Sequence, residues 1–203
     1  MDYLIELFKK FPGIGPRQAK RFVSFVMHAS PAYRKELMAT LAEIHTHVET
    51  CALCNRRYVA NQALAEGQAS ICSICRKKRD SKTLLIVAHD SDVDVFEKLL
   101  THTGHYYVLG RYIPLFAESV TEHVDLRKIY DRIDTLRGEG LVEIIMATNA
   151  TADGDYTARI LREHIQNKYD GLVVSTLGRG LSTGGELEYA DSETLREAMR
   201  FRR

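Results

Sequence analysis

Four cysteines carry the strongest chemical signal in the chain. They stand as Cys51-Ala52-Leu53-Cys54 and, after 17 intervening residues, Cys72-Ser73-Ile74-Cys75. Each Cys-x-x-Cys offers two sulfurs from one tight turn, and two such turns can place four thiolates tetrahedrally around a single Zn2+. With no ligand position left open, such an ion is structural rather than catalytic. Buried free thiols or a redox pair are the other chemistries open to a Cys-x-x-Cys. Two of them in a basic stretch poor in apolar residues favour the metal, because a segment that cannot build its own core needs a cross-link to hold a shape. His45 and His47 lie just upstream; beside four cysteines neither is needed as a ligand, and both are read as surface or core residues.

A second constellation is Phe11-Pro12-Gly13-Ile14-Gly15-Pro16, set between two amphipathic stretches. Gly13 and Gly15 permit a tight hairpin with positive φ and no side chain in the way. Pro16 suits the first position of a helix, whose free N–H groups can hold a phosphate. Arg17, Lys20 and Arg21 follow on that helix within reach of neighbouring phosphates. This is a helix-hairpin-helix pattern for DNA binding that reads backbone rather than bases; an ordinary helix–helix turn is the alternative. Arg56, Arg57 and the run Arg76-Lys77-Lys78-Arg79 flank the cysteines and could touch phosphate, an acidic partner or only water.

A third is acidic. Residues 142–148 read as a strand and run into Asn149-Ala150-Thr151-Ala152-Asp153-Gly154-Asp155. Two carboxylates at a strand's C-terminal edge stand where α/β folds bind ligands and can hold Mg2+; they can equally cap a helix starting near Tyr156. The glycine-rich stretch from Leu177 to Asp191 lacks the Gly-Lys-Ser/Thr ending of a phosphate-binding loop, so ATP binding is not inferred, and its glycines are read as allowing close approach of another strand or subunit.

The elements that must position these groups differ along the chain. Tyr3, Leu4, Leu7, Phe8 and Phe11, then Ala19, Phe22, Val23 and Val26, recur at helical period. A third helix is expected over 31–47, with Leu37, Leu41 and Ile44 facing inward. From residue 82 strands and helices alternate: strands over 83–88, 106–109, 142–148 and 172–176; helices over 92–100 (capped by Ser91), 124–136 and 156–167, and a last one from an Asp191 or Ser192 cap to Phe201. That alternation implies a parallel α/β sheet. The fold class is therefore α+β in several modules: an N-terminal helical hairpin, a small zinc module, an α/β domain with a mostly parallel sheet, and a C-terminal helix.

Composition sets the outer bounds. Apolar residues make up 45% and charged residues 27%, an ordinary globular balance. No apolar run approaches the ~20 residues of a membrane span, and the first residues lack the layout of a signal peptide, so a cytoplasmic protein with no membrane partner is expected. Residues 1–80 hold 13 Lys/Arg against 7 Asp/Glu, and residues 81–203 hold 15 against 20. The first part suits phosphates and the second does not.

Taken in order, these features resemble the RecR family. Phe11-Pro12-Gly13-Ile14-Gly15-Pro16 is close to that family's hairpin, and the four cysteines with Arg79-Asp80 resemble its zinc module. Tyr107-Val108-Leu109-Gly110 with Ile113-Pro114-Leu115, Ala147-Thr148-Asn149 followed by Asp153 to Ala158, and Thr183 to Asp191 resemble its remaining motifs, so the likeness spans the chain. It implies modules at 1–50 (helix-hairpin-helix), 51–80 (four-cysteine zinc module), 81–176 (Toprim-like α/β domain) and 177–203 (glycine-rich segment and C-terminal helix for oligomer contact). It implies a non-catalytic clamp in recombinational DNA repair, built as a dimer to tetramer ring, that works with RecO and RecF to load RecA at single-stranded gaps. Phe8, Phe11, Phe22 and Phe25 at one end, and Leu195, Met199 and Phe201 at the other, supply apolar faces for such self-contact. Three departures stand out. A catalytic Toprim centre has a Glu after its first strand, and here that position falls on Ala88. Asp90 and Asp92 lie later in the same loop, which leaves Asp90, Asp92, Asp153 and Asp155 as a partner-binding or vestigial metal site. Ala150 and Gly178-Arg179-Gly180 also replace the usual residues. The alternative function is a Mg2+-dependent Toprim nuclease or primase-like enzyme using these aspartates; a third is an interaction protein whose hairpin does not touch DNA.

Overall fold

The computed structural model describes residues 1–11, 13–59, 71–117, 119–178, 180, 181, 184 and 186–200. Its contacts divide the chain into two compact units, Met1–Val48 and Glu49–Arg203. Pro12 of the hairpin, Arg179, Thr183 and Gly185 of the glycine-rich stretch, the expected helix end at Phe201, and the side chains of His45 and His47 lie outside the described residues.

The first unit is helical: α1 (Asp2–Lys9), α2 (Pro16–His28), α3 (Pro31–Ala42) and the short α4 (Ile44–His47). Phe8 stacks on Phe11 and meets Phe22 at ring separations of 5.8 and 5.7 Å, which closes α1 onto α2. The buried residues of α2 are Ala19 and Val23. Ser30 caps α3 through the Tyr33 N–H, and Arg34 donates to the carbonyls of Met27 and Ala29 at the end of α2. The expected single helix over 31–47 is interrupted at Glu43. Its stripe is not an inward one: Leu37 is half-buried, while Leu41 and Ile44 are 59% and 49% exposed. With α1 and α2 packed on each other, that stripe is left to solvent.

From the unit boundary onward, a two-stranded sheet, β1 (Val48–Thr50) with β2 (Arg57–Val59), brackets the first cysteine pair. A four-stranded parallel sheet follows, in the order β4 (Gly104–Val108), β3 (Asp80–Val87), β5 (Glu143–Ala147), β6 (Val173–Thr176). Its helices are α5 (Asp90–Leu99), α6 (Leu126–Gly138), α7 (Ala152–Lys168) and α8 (Ser192–Arg200). The fold class expected from the sequence is thus observed.

Successive side chains of β3 point to opposite faces, and both faces are covered, which explains the unbroken apolar run. Leu84 and Ile86 pack with Ile129 and Ile133 of α6 and with Leu161 and Ile165 of α7. Leu85 and Val87 pack with Val93 of α5 and with Cys51, Cys54, Cys72 and Ile74. The cysteine module therefore closes part of the second face, a task helices usually perform on a parallel sheet.

Helix starts differ from expectation at two places. Ser91 does not cap α5: His89 is the capping residue, and the Asp92 carboxylate accepts from the His89 N–H. Asp153 and Asp155 do not precede a helix at Tyr156 but sit in the first turn of α7, capped by Thr151. Their negative charge there favours the helix dipole. At the other end of the chain Asp191, one of the two expected caps, accepts from the Thr194 N–H at the start of α8.

Candidate metal centre, basic hairpin and acidic edge

The four cysteine sulfurs lie within 4.8 Å of one another. Cys54 Sγ and Cys72 Sγ are 3.7 Å apart, against about 3.8 Å for the edge of a tetrahedron with metal–sulfur bonds of ~2.3 Å. Cys51, Cys54 and Cys72 are 1% exposed, and no cysteine is in a disulfide. Hydrogen bonds from Cys54, Cys72 and Cys75 pull the Cys51 thiol far down, while those linking Cys54 to Cys51 and Cys72, together with burial, push Cys54 far up. Four crowded sulfurs cannot all be thiolates without a cation between them, and a cation removes the conflict. The donor set thus fits one soft metal ion in a closed site.

The module is bolted to the sheet. Val108 N–H donates to the Cys54 carbonyl at 2.8 Å and the Asn55 amide donates to the Val108 carbonyl at 2.7 Å. Asn55 holds φ of 58°, a conformation asparagine tolerates.

Four of the six basic residues around the cysteines are ion-paired, and two of these, Arg56 and Arg79, are largely buried. Arg79 is 6% exposed by side chain; it pairs with Glu97 at 2.8 Å and donates to the carbonyls of Gly104 and His102. Arg56 pairs with Asp94, Lys77 with Glu97, and Arg57 with Asp90. Arg79 is therefore a buried anchor and not a phosphate contact. The sequence run could not reveal this, since its partners lie in α5 and β4. Burial alone would raise Glu97, but hydrogen bonds from Arg79 and Tyr106 and the nearby charges hold it below the usual carboxylate value. Its contribution is thus full above the ordinary value of about 4.3 and is lost as pH falls through the lower folded value. We expect Glu97→Gln to cost on the order of 2 kcal/mol near neutrality, with the gap to the parent protein closing in denaturant melts run toward pH 3.

In the hairpin Gly13 has φ of 76°, and Ile14 N–H donates to the Phe11 carbonyl. Gly15 departs from expectation: its φ is −81°, and it serves as the extended residue before Pro16, which holds the first position of α2. Only Gly13 therefore uses the left-handed region. Arg17, Lys20 and Arg21 are exposed, and no ion pair engages them among the described residues.

The four aspartates stand at the C-terminal edges of β3 and β5. Asp90 accepts from the Arg57 N–H, Asp92 from the His89 N–H and Asp153 from the Leu115 N–H. Asp155 lines a 620 Å³ cleft with Arg159, Arg162 and Arg200. Among the described residues, the cysteines are the one group of three or more potential ligands close enough to share an ion. Ala88, at the position of the missing glutamate, is fully buried.

Sequence reasoning passed over the staple that shapes this edge. Thr157 is fully buried; its hydroxyl accepts from the Ile113 N–H at 2.8 Å and donates to the Asp153 carbonyl at 2.6 Å. Tyr112 receives the Asn149 N–H. A Cβ on Gly154 would overlap the Asn149 carbonyl, so this glycine lets α7 start against the loop. Threonine and glycine at helical offsets after a Thr151 cap were the available signal. Thr157→Val should cost about 1–3 kcal/mol, because the buried Ile113 N–H loses its acceptor; urea unfolding measures it.

Among the described residues no helix is long and apolar enough to cross a membrane. A family model described as RecR, C-terminal, matches residues 180–203. The chain is 32% identical over 204 residues to the protein named Recombination protein RecR of Cereibacter sphaeroides, covering 100% of this chain and 96% of that one. Identity is likewise 32% over 203 residues to the protein of that name from Orientia tsutsugamushi, covering 100% and 94%. To that of Acidithiobacillus ferrooxidans it is 32% over 205 residues, covering 100% and 95%.

Proposed function

The chain belongs to the RecR family, and from that premise we propose that it is a non-catalytic, DNA-binding adaptor of recombinational DNA repair in the cytoplasm. The carrying observation is the α1–α2 hairpin, where Gly13 shapes the turn and Arg17, Lys20 and Arg21 stand exposed. Free N–H groups at the start of α2 and three cations beside them suit phosphates, without any selection of bases.

Cys51, Cys54, Cys72 and Cys75 hold one structural Zn2+ in this reading. Four thiolates in a tetrahedron select zinc or an iron–sulfur centre, and a closed site with a purely architectural task suits a redox-inert ion. The aspartates serve partner binding rather than phosphoryl transfer: Ala88 carries no carboxylate, and among the described residues no three acidic side chains lie close enough together to share an ion. The exposed apolar residues of the first unit, Phe11 and Phe25 at 57% and 58%, with Met199 at 63% in α8, supply surfaces for self-association into a dimer or tetrameric ring. Partnership with RecO, and with RecF, in loading RecA at gaps follows from the family resemblance.

The full chain is expected to bind labelled duplex and single-stranded DNA without sequence preference, to lose affinity steeply with salt, and to leave the DNA intact when Mg2+ is added. In light scattering its mass should approach four times 23.1 kDa. Strand cleavage abolished by Asp153→Asn would establish the Mg2+-dependent enzyme instead, and a monomer at every concentration would remove the ring.

A further inference from the structure

We propose that the cavity between the first cysteine turn and α6 is a docking pocket for a carboxylate side chain of a partner protein, with Arg132 as its receptor. The cavity measures 420 Å³, and its lining includes Leu53, Asn55, Tyr107, Lys128 and Arg132.

Arg132 is 7% exposed. Among the described residues its Nε has no hydrogen-bond partner, and no carboxylate lies within ion-pair distance of it. Its Nη2 meets Nδ1 of His105 at 2.9 Å. Burial, and then the Arg132 charge, lower the His105 pKa, so that partner is a neutral imidazole acting as acceptor. A guanidinium stays charged at any working pH, and a buried charge without a counter-ion is costly. Two other largely buried arginines of this unit have a carboxylate in ion-pair distance, Arg79 with Glu97 and Arg56 with Asp94. At Arg132 no carboxylate of the described residues fills that place, which leaves it open to one from a partner.

Size and charge choose the occupant. A cavity of this volume holds one or two side chains. Apolar walls around a few placed polar groups are typical of a selective pocket, whereas a DNA backbone asks for a track of cations. Lys128, 61% exposed by side chain, stands at the rim in a long 4.0 Å pair with the equally solvated Asp125, and Asp131 also lines the cavity; both acids act in screened solvent. The planar guanidinium fork matches a carboxylate with two parallel hydrogen bonds. The pocket is independent of the DNA reading, whose residues lie on α2. Cys51 also lines the cavity, so the rival task for Arg132 is to balance the charge of the thiolates.

The experiment uses the full, metal-loaded chain with nitrogen-labelled arginine and backbone. The Arg132 Nε–H signal and the Leu53 and Asn55 amides are followed while acetyl-glutamate amide, acetyl-glutamine amide or inorganic phosphate is added. The glutamate probe should give saturable shifts and bind about tenfold tighter than the glutamine probe. Arg132→Met should abolish the Leu53 and Asn55 shifts, Arg132→Lys should keep them in weakened form, and Lys128→Met, on the exposed rim, should weaken binding a few-fold without threatening the fold. Should Arg132→Met fail to fold, the parent titration and Lys128→Met still decide. Equal response to both amides, no saturable response, or a response to phosphate alone would overturn the proposal. So would metal loss in Arg132→Met with carboxylate binding intact, which would assign Arg132 to the thiolates.

Discussion

Cys72→Ser is expected to lose the bound metal and to lower the melting temperature by on the order of 10 °C. The reasoning starts from burial. Cys72 is 1% exposed, its N–H donates to Cys51 Sγ at 3.3 Å, and it packs in the same cluster as Leu85 and Val87 of the central strand. Removing one of four ligands breaks a closed tetrahedral site, and binding energy at such sites is folding energy. The loss reaches beyond the module because Cys54 and Asn55 are hydrogen-bonded to Val108 of β4. A cost of 3–5 kcal/mol corresponds to roughly 10 °C for a unit of this size. Metal content by mass spectrometry should read one zinc per parent chain and none in the variant, and a chelator should reproduce the shift. An unchanged melting temperature with unchanged metal content would contradict both the site and its structural task.

The same module shows how far the sequence could be read. Its ligands were legible because four sulfurs at two turns have few other uses. Its location was not, because packing on Leu85 and Val87 depends on which face of β3 the α6 and α7 helices leave open. The buried run 83–88 announced a central strand through its apolar continuity, and 142–148 did likewise. Charges were the least legible. Arg56, Arg57, Lys77 and Arg79 look like one basic patch in the sequence, but their partners Asp94, Asp90 and Glu97 are carried by α5. Pairing across 18 to 38 residues leaves no local signal. The charge of Arg132 is hidden for the same reason: its helical position is plain, yet that no carboxylate of the described residues reaches ion-pair distance, although Asp131 is next in the chain, is a fact of packing. His89, with no side-chain signature as a cap, displaced Ser91 because Asp92 could close the capping box onto its N–H.

The DNA reading rests on α2, where reversing Arg17, Lys20 and Arg21 to glutamate should weaken DNA binding by roughly two orders of magnitude at 0.1 M salt. All three are exposed and unpaired among the described residues, so the change leaves the packed Ala19–Val23 side of the helix alone and should barely alter the melting curve. Each phosphate contact contributes about 0.9 to the slope of log affinity against log salt on duplex DNA; losing three should lower that slope by nearly 3. Because the contacts are to backbone, the loss should be the same for any DNA sequence. Gly13→Val offers an independent route to the same result: it removes no charge, but its φ of 76° strains a β-branched residue, which tilts the start of α2 away from the phosphate. Fluorescence anisotropy over a salt series reads both variants. A lower affinity with an unchanged slope would mean that fold damage, not lost phosphate contacts, is responsible. Unchanged affinity in the triple variant would move DNA binding off this hairpin altogether and leave α1–α2 as a surface for protein contact.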